Sequence, residues 1–210
     1  MSKSKILKPG ERYTFSQYFD MSYAVEDILA DLDCTIARSP LNLPKAEPDV
    51  IQNSYEFLQQ YLGRNLKFVN PVTEISRREV LIAPTLMEVC ATVQATLNIE
   101  YTLTVSDWLR GNLDYYIPTP RNFLIIEAKQ ADLAKGFTQL AVELIALDQW
   151  IDVSAAAQPI LYGAVTTGDI WKLGQYERLM HHITEDRTLY RVPEDLALLL
   201  QILVGTLLLS

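Results

Sequence analysis

Charged side chains interrupt two apolar segments that have the character of neighbouring β-strands. The segment FLIIEAK, residues 123–129, carries Glu127 and Lys129 in a run of otherwise apolar or small residues. The segment GNLDYYI, residues 111–117, carries Asp114. A charge buried in such a strand costs several kcal/mol unless it is paired or bound to a metal. These residue types therefore indicate a chemical site, provided that the chain brings them together.

A short connection predicts how the two segments pair. PTPRN, residues 118–122, is rich in turn-forming residues, so the flanking strands are expected to form an antiparallel hairpin. A turn centred after Pro120 places Asp114 opposite Glu127, with Cβ atoms roughly 5 Å apart. A register slip of one residue would remove this pairing. Because side chains alternate across a strand, Lys129 is expected on the same face as Glu127.

Two carboxylates that close repel each other unless a cation lies between them. Ligation by oxygen atoms alone suits a hard ion, so the pattern indicates Mg²⁺ (or Mn²⁺) held by Asp114 and Glu127. Lys129 would then orient or deprotonate a water molecule at the same site. The alternative is that Glu127 and Lys129 only solubilise an exposed strand end.

The remaining elements predict an α/β fold with a mixed sheet flanked by helices. Residues 1–70 are expected to form an N-terminal arm and helices packed on the core, and residues 71–210 a single domain that ends in a C-terminal helix. Helices are predicted at 22–32, 49–63, 71–98 (with Pro84 as a break), 132–150 and from 193 onwards, strands at 99–105, 111–117, 123–129, 159–168 and 169–177, a polar arm at 1–20 and a loop at 38–49.

Composition restricts the class of protein. The chain of 210 residues has 18 Lys and Arg against 26 Asp and Glu, a net charge of -8, which argues against a broadly basic nucleic-acid-binding surface. The N-terminus lacks an apolar signal segment, and the apolar stretch at 196–209 is too short to span a bilayer comfortably. We therefore expect a cytoplasmic protein that does not enter membranes. The same apolar stretch is expected to form either core or the seam of a homodimer.

Together these segments resemble the core of the PD-(D/E)XK nuclease superfamily. The resemblance is carried by GNLDYYI, LIIEAK, GFTQLAVELIALDQ and YGAVTTGDIWKL, spans about residues 73–177, and is closest in style to the N-terminal nuclease domains of type I restriction subunits. It implies a restriction-endonuclease-like core, with an N-terminal helical extension and a C-terminal helix around it.

The resemblance also implies roles for individual residues. The catalytic acids fall on Asp114 and Glu127, the lysine on Lys129 and a helical glutamine on Gln139. The segment EISRREVLIAPTL matches the superfamily's first helix and places a further acid on Glu74, with Glu79 and Glu88 as alternatives, and an arginine on Arg78. Related chains often have Tyr four residues after the glutamine, where this chain has Glu143.

These residues predict a Mg²⁺-dependent nuclease that hydrolyses DNA. Metal ligands would be Asp114, Glu127 and the backbone carbonyl of Ala128, with Glu74 helping directly or through water. A catalytically silent nuclease-fold module, acting as an interaction or regulatory subunit, is the alternative, and cleavage of RNA is a third. Four basic residues flank the predicted site and are candidates for phosphate contacts: Arg110, Arg121, Lys135 and Lys172.

Overall fold

Seven strands form one mixed sheet in a computed structural model, which describes residues 5–208. The strands run across the sheet in the order β1-β7-β6-β5-β4-β3-β2. Only the β1–β7 and β4–β5 pairs are parallel. The strands are β1 Thr35–Ser39, β2 Asn98–Thr104, β3 Arg110–Pro118, β4 Phe123–Ala128, β5 Ile160–Thr166, β6 Ile170–Glu177 and β7 His182–Arg191.

Helices cover both faces of this sheet, as the α/β prediction requires. One hydrophobic core lies between the sheet and α3, α5 and α7, and the other between the sheet and α1, α2 and α6. The helices are α1 Phe15–Asp20, α2 Val25–Ala30, α3 Pro48–Asn65, α4 Glu74–Arg77, α5 Ala83–Val93, α6 Leu133–Trp150 and α7 Leu196–Leu208.

The predicted hairpin and its register are confirmed. Strands β3 and β4 pair antiparallel from Tyr115 opposite Ile126 to Pro118 opposite Phe123. Continuing this register by one residue sets Asp114 opposite Glu127. The predicted helix at 132–150 is also confirmed as α6, which begins after a capping aspartate, Asp132, whose side chain accepts a hydrogen bond from the Lys135 N–H.

Helix α6 lies very close to the sheet and connects β4 to its parallel neighbour β5. A Cβ atom on Gly136 would lie 2.6 Å from Cγ2 of Val165, so only glycine allows this approach. Phe137, Leu140 and Leu144 are buried in the same interface, as their helical spacing predicts. The first turns of α6 are thereby held directly over the end of β4.

One prediction about the chain outside this core is wrong, and two strands were not predicted. Residues of the predicted polar arm form helix α1, in which Phe15 and Tyr18 are buried. The predicted loop at 38–49 is present at residues 40–47, while β1, which ends at Ser39, and β7 were not predicted. Neither strand could be predicted from its apolar pattern, because charged residues interrupt it. These charges pair between the two strands, and Arg38 Nε lies 2.7 Å from Glu185 Oε2.

The predicted break at Pro84 is confirmed as a π-helical turn, Arg78–Ile82, that separates α4 from α5. Proline has no N–H to donate and its ring crowds the carbonyl four residues earlier, which here belongs to Val80. The wider turn accommodates this defect. It also aims Arg78 at the sheet, where its Nη1 lies 3.3 Å from Asp114 Oδ1.

The first seventy residues are integrated with the rest of the chain. Strand β1 pairs with β7, α1 packs on α6, and α3 packs on α7. The boundary expected at residue 70 stays a prediction. Helix α7 is largely buried, and Leu198 is among its exposed residues, so the predicted homodimer through α7 would have to use that exposed side.

We predict that Gly205→Ala in α7 lowers the free energy of unfolding by about 3 kcal/mol, because overpacking a rigid contact is costly. A Cβ atom there would lie 2.6 Å from the Pro44 carbonyl oxygen and 2.7 Å from the Ala46 nitrogen, and backbone atoms have little freedom to move. Urea unfolding measures the change. Gly63→Ala is the matched control, because its Cβ meets no described atom within 4 Å and gains up to about 1 kcal/mol of helix propensity. Equal effects of the two substitutions would contradict this packing.

Candidate active site

Strands β3 and β4 bring Asp114 and Glu127 together at the end of the hairpin. The N–H of Ala128 donates a hydrogen bond of 2.8 Å to Oδ2 of Asp114, which ties the two strands at this point. Glu127 is only 1% exposed, and Asp114 is largely buried. The carboxylates predicted from the hairpin register are therefore neighbours in a poorly solvated environment.

A cavity of about 410 Å³ opens over this pair of carboxylates. Four of the five predicted catalytic side chains line it, namely those of Asp114, Glu127, Lys129 and Gln139. The fifth, Glu74, lines an adjoining cavity of about 610 Å³ that has only Lys129 in common with the first. The proposed participation of Glu74 in metal binding stays a prediction. Further residues lining the first cavity are Thr14, Ser16, Glu100, Gly111 and Asn112.

Lys129 forms an ion pair in the lining of the first cavity. Its Nζ lies 2.6 Å from Oε1 of Glu127, and both side chains are poorly exposed. Burial alone would lower the pKa of Lys129, but the neighbouring carboxylates of Glu127 and Asp114 outweigh it and raise the pKa above its ordinary value. Lys129 is therefore a cation at neutral pH, suited to orienting a water molecule or stabilising negative charge rather than to acting as a base.

Gln139 contacts the carboxylates from α6. The sequence left it open whether this glutamine is a surface amide or part of the site; it is 3% exposed and belongs to the site. Its Nε2 donates to Oε1 of Glu127 at 2.7 Å and to Oε1 of Glu143 at 2.8 Å. The amide thus bridges a strand and the next turn of its own helix.

Glu143 is the main residue that sequence reasoning missed. It is completely buried, and its Oε1 accepts a hydrogen bond from the Gln139 amide that also contacts Glu127. The only signal for it was the position four residues after Gln139, where the resembling superfamily often has Tyr. The apolar stripe of α6 predicted which face of the helix packs on the sheet. It did not indicate that the carboxyl group of Glu143 is buried in the same interface.

Burial and the repulsion between neighbouring carboxyl groups disfavour ionisation of both glutamates together. Desolvation raises the pKa of Glu127 well above its ordinary value, the carboxyl groups of Glu143 and Asp114 raise it further, and Lys129 opposes them. Desolvation also raises the pKa of Glu143, to about 8. The ion pair with Lys129 opposes the rise of the pKa at Glu127, and the hydrogen bond from Gln139 opposes it at Glu143. Among the described residues the Oε2 atoms of both glutamates have no hydrogen-bond partner.

Other groups compensate the negative charge of Asp114. Burial raises its pKa, while the Ala128 N–H, Arg78 and Lys129 oppose the rise. Arg78 also lies 2.7 Å from Oε1 of Glu100, so one guanidinium group links two carboxylates on strands β2 and β3. Glu100 has a left-handed backbone with φ of 54°, which is uncommon for a residue other than glycine. No feature of the sequence signalled this conformation.

The side chains fit a hard cation by the chemistry of their donors. Asp114 and Glu127 supply carboxylate oxygens, Oε2 of Glu127 has no donor, and Ala128, which directly follows Glu127, supplies a backbone carbonyl. Within residues 5–208 no group of three or more His, Cys, Asp or Glu has the arrangement of a metal site. An ion here would need a backbone carbonyl and water to complete its coordination, which Mg²⁺ accepts because it retains several waters.

Comparison of the chain with protein-family models, with curated proteins and with solved structures finds no match. The resemblance to the nuclease superfamily therefore depends on the residues and geometry described above. In the part of the chain that the structure describes, every helix is too short or too polar to span a bilayer.

We predict that Glu143→Gln changes how stability depends on pH. Because the pKa of Glu143 is raised to about 8 in the folded protein from an ordinary 4.5, the folded state holds this proton more tightly, and stability falls as pH rises from 4.5 to 8. The amide removes that loss, so the variant should gain on the order of a few kcal/mol relative to wild type between pH 5 and pH 8.5.

Urea unfolding at both pH values, with a chelator present, measures this difference. Glu56→Gln is the control, since it changes an exposed glutamate on α3. A Glu143→Gln variant whose stability follows wild type across this range would show that Glu143 is ionised in the folded protein.

Proposed function

We propose that this protein is a metal-dependent nuclease that hydrolyses phosphodiester bonds in DNA. The observation that carries the proposal is the convergence of Asp114, Glu127 and Lys129 in one cavity at the end of the β3–β4 hairpin. Support also comes from the element order, because α5, β2, β3, β4, α6 and β5 follow the helix, three strands, helix and strand of a restriction-endonuclease-like core.

The carboxylates of Asp114 and Glu127 and the carbonyl of Ala128 would hold Mg²⁺ or Mn²⁺. A bound ion of this kind polarises the phosphate and lowers the pKa of the attacking water. Residues of the chain prepare the site for it. The Ala128 N–H orients Asp114, and the Gln139 amide orients Glu127.

Lys129 would contribute positive charge next to the scissile phosphate. Its raised pKa keeps it protonated, and its position against Glu127 holds it at the cavity wall. There it can hold the attacking water and stabilise the charge that develops on phosphate oxygens in the transition state.

The flanking basic residues differ in their availability for DNA. Lys172 pairs with Glu185, and Arg121 donates to the carbonyl of Leu208, so both have protein partners. Lys135 lies at the start of α6 with its Nζ 5.8 Å from the centre of the Phe19 ring. It is the candidate for a phosphate contact next to the site.

One set of observations favours the second function, a catalytically silent module that serves as an interaction or regulatory subunit. Both oxygens of Asp114 already have protein partners, in Arg78 and Ala128. Burial raises the pKa of Glu127, which disfavours the ionised form that a metal needs. In that case Lys129 would serve only to neutralise Glu127.

We predict that Lys129→Ala lowers the rate of DNA cleavage at least about 100-fold, because it removes the positive charge at the reacting phosphate. Plasmid DNA, single-stranded DNA and RNA incubated with Mg²⁺ or Mn²⁺ give the measurement. Lys172→Ala is a matched control, since Lys172 also pairs with a buried glutamate but lies outside the cavity. Absence of cleavage by wild type on every substrate would favour the silent module.

We predict that Mg²⁺ or Mn²⁺ raises the melting temperature of the wild-type protein by about 3 °C at ten times the dissociation constant. The rise follows from preferential binding to the folded state and should disappear in Asp114→Asn. Asp107→Asn, which changes an exposed aspartate between β2 and β3, should retain it. Thermal denaturation with and without metal distinguishes these cases, and an equal shift in all three proteins would contradict binding at Asp114.

A further inference from the structure

A second cavity adjoins the candidate active site. Its volume of about 610 Å³ lies in the range of small-molecule binding sites. Lys129 lines both cavities, so a ligand in the second would lie directly beside the group that faces the reacting phosphate. Its other lining residues are Phe19, Val72, Glu74, Arg77, Gln130, Ala131 and Asp132.

Phe19 supplies an aromatic wall to this cavity from helix α1. The Nζ of Lys129 lies 4.9 Å from the centre of the Phe19 ring. The neighbouring Phe15 and Tyr18 are buried, and the Tyr18 hydroxyl donates to the Trp108 carbonyl at 2.7 Å. The ring therefore belongs to a helix that is fixed against the rest of the protein. A ring held in this way can stack on a flat ligand.

The polar groups of the cavity divide into fixed and available ones. Arg77 is held by the carbonyls of Pro71 and Thr167 and by the Asp169 carboxylate, so it forms part of the wall. Glu74 is different, because its carboxylate has no hydrogen-bond or ion-pair partner among residues 5–208. It is an acceptor with free capacity, whereas the second carboxylate of the lining, Asp132, already accepts a hydrogen bond from the Lys135 N–H.

We infer that this cavity binds the unpaired base of the nucleotide next to the scissile phosphate. Phe19 would stack on the base, Lys129 and Lys135 would contact the adjoining phosphates, and Glu74 would accept a hydrogen bond from an exocyclic amino group. The inference deepens the proposed nuclease function and rests on it. Aromatic stacking serves any base, whereas a carboxylate acceptor favours a base that carries an amino group.

This assignment predicts the form of the substrate. Inside a duplex, the two faces of a base are covered by the stacked bases next to it, and its hydrogen-bonding edge is covered by the base with which it pairs. A base can therefore enter such a cavity only when it is unpaired or turned out of the double helix. The protein should therefore prefer single-stranded DNA. Cytosine and adenine should bind more tightly than thymine, which has no exocyclic amino group.

Fluorescence anisotropy with labelled oligonucleotides tests the inference without turnover, with Ca²⁺ in place of Mg²⁺. The probes are single-stranded octamers of cytidine, adenosine or thymidine deoxynucleotides and a duplex. Phe19→Ala should weaken binding of the cytidine octamer about tenfold, through loss of stacking, while Phe19→Trp retains it. Phe57→Ala, which removes an exposed ring lining a different cavity, should have no effect.

Glu74→Gln tests the acceptor separately. The substitution keeps the shape of the side chain but replaces one acceptor oxygen by a donor, so the preference for the cytidine over the thymidine octamer should shrink. An unchanged preference would overturn the assignment of Glu74. Because Glu74 lies at the edge of a short surface helix, this variant is expected to fold even if Phe19→Ala does not.

Two outcomes separate this inference from the nuclease proposal. Binding of single strands that depends on Phe19, with no cleavage in Mg²⁺ or Mn²⁺, would support the base site and end the nuclease proposal. Cleavage that is unaffected by Phe19→Ala, together with equal binding of duplex and single strand, would overturn the base site and leave the nuclease proposal intact. Failure to bind any of the oligonucleotides would also overturn the base site.

Discussion

The pairing of β3 with β4 beneath helix α6 imposes the main electrostatic constraint on this protein. It sets Asp114 beside Glu127 and removes both carboxylates from water. Each uncompensated charge in such a place would cost several kcal/mol, so the surrounding elements have to supply donors. They do so from four directions: the Ala128 N–H of β4, Arg78 of the π-helical turn, Lys129 after β4, and Gln139 of α6.

The same constraint connects stability with the proposed chemistry. Glu143 adds a third carboxyl group to the buried pair, and burial together with the repulsion among the three carboxyl groups disfavours ionisation of them all. A cation that enters beside Glu127 would reduce that repulsion and favour release of a proton. Protonation of Glu143 and metal binding at Glu127 would therefore oppose each other, with Gln139 in contact with both carboxyl groups.

Local sequence patterns predicted much of the fold and the centre of the site. Alternation in β3 and β4, a short turn and the periodicity of α6 fix the positions of Asp114 and Glu127, because each of these signals acts over a few residues. Interactions between distant segments were not readable in this way. The charges of β1 and β7 pair across the sheet, Glu100 has an unusual backbone, and Glu143 is buried on a face that its neighbours alone do not define.

The helix that contains Glu74 and leads into Arg78 illustrates the same limit. The sequence predicted that Glu74 and Arg78 lie on one helix beside the site, but a π-helical turn follows Arg77. Arg78 contacts Asp114, whereas Glu74 lies in the neighbouring cavity. A sequence motif gives the order of residues along a helix, while a local widening of that helix changes where they point.

Strand β1 has a consequence for the way the chain is synthesised. Its partner in the sheet is β7, and the side chains of Thr35 and His182 that meet there are 147 positions apart in the chain. Contacts between such remote segments form late, because the intervening chain must first be ordered. A chain emerging from the ribosome has to keep β1 unpaired until most of its length has been made. The edge of β6 is likewise open until β7 appears, so both edges are exposed to association with other nascent chains during that interval.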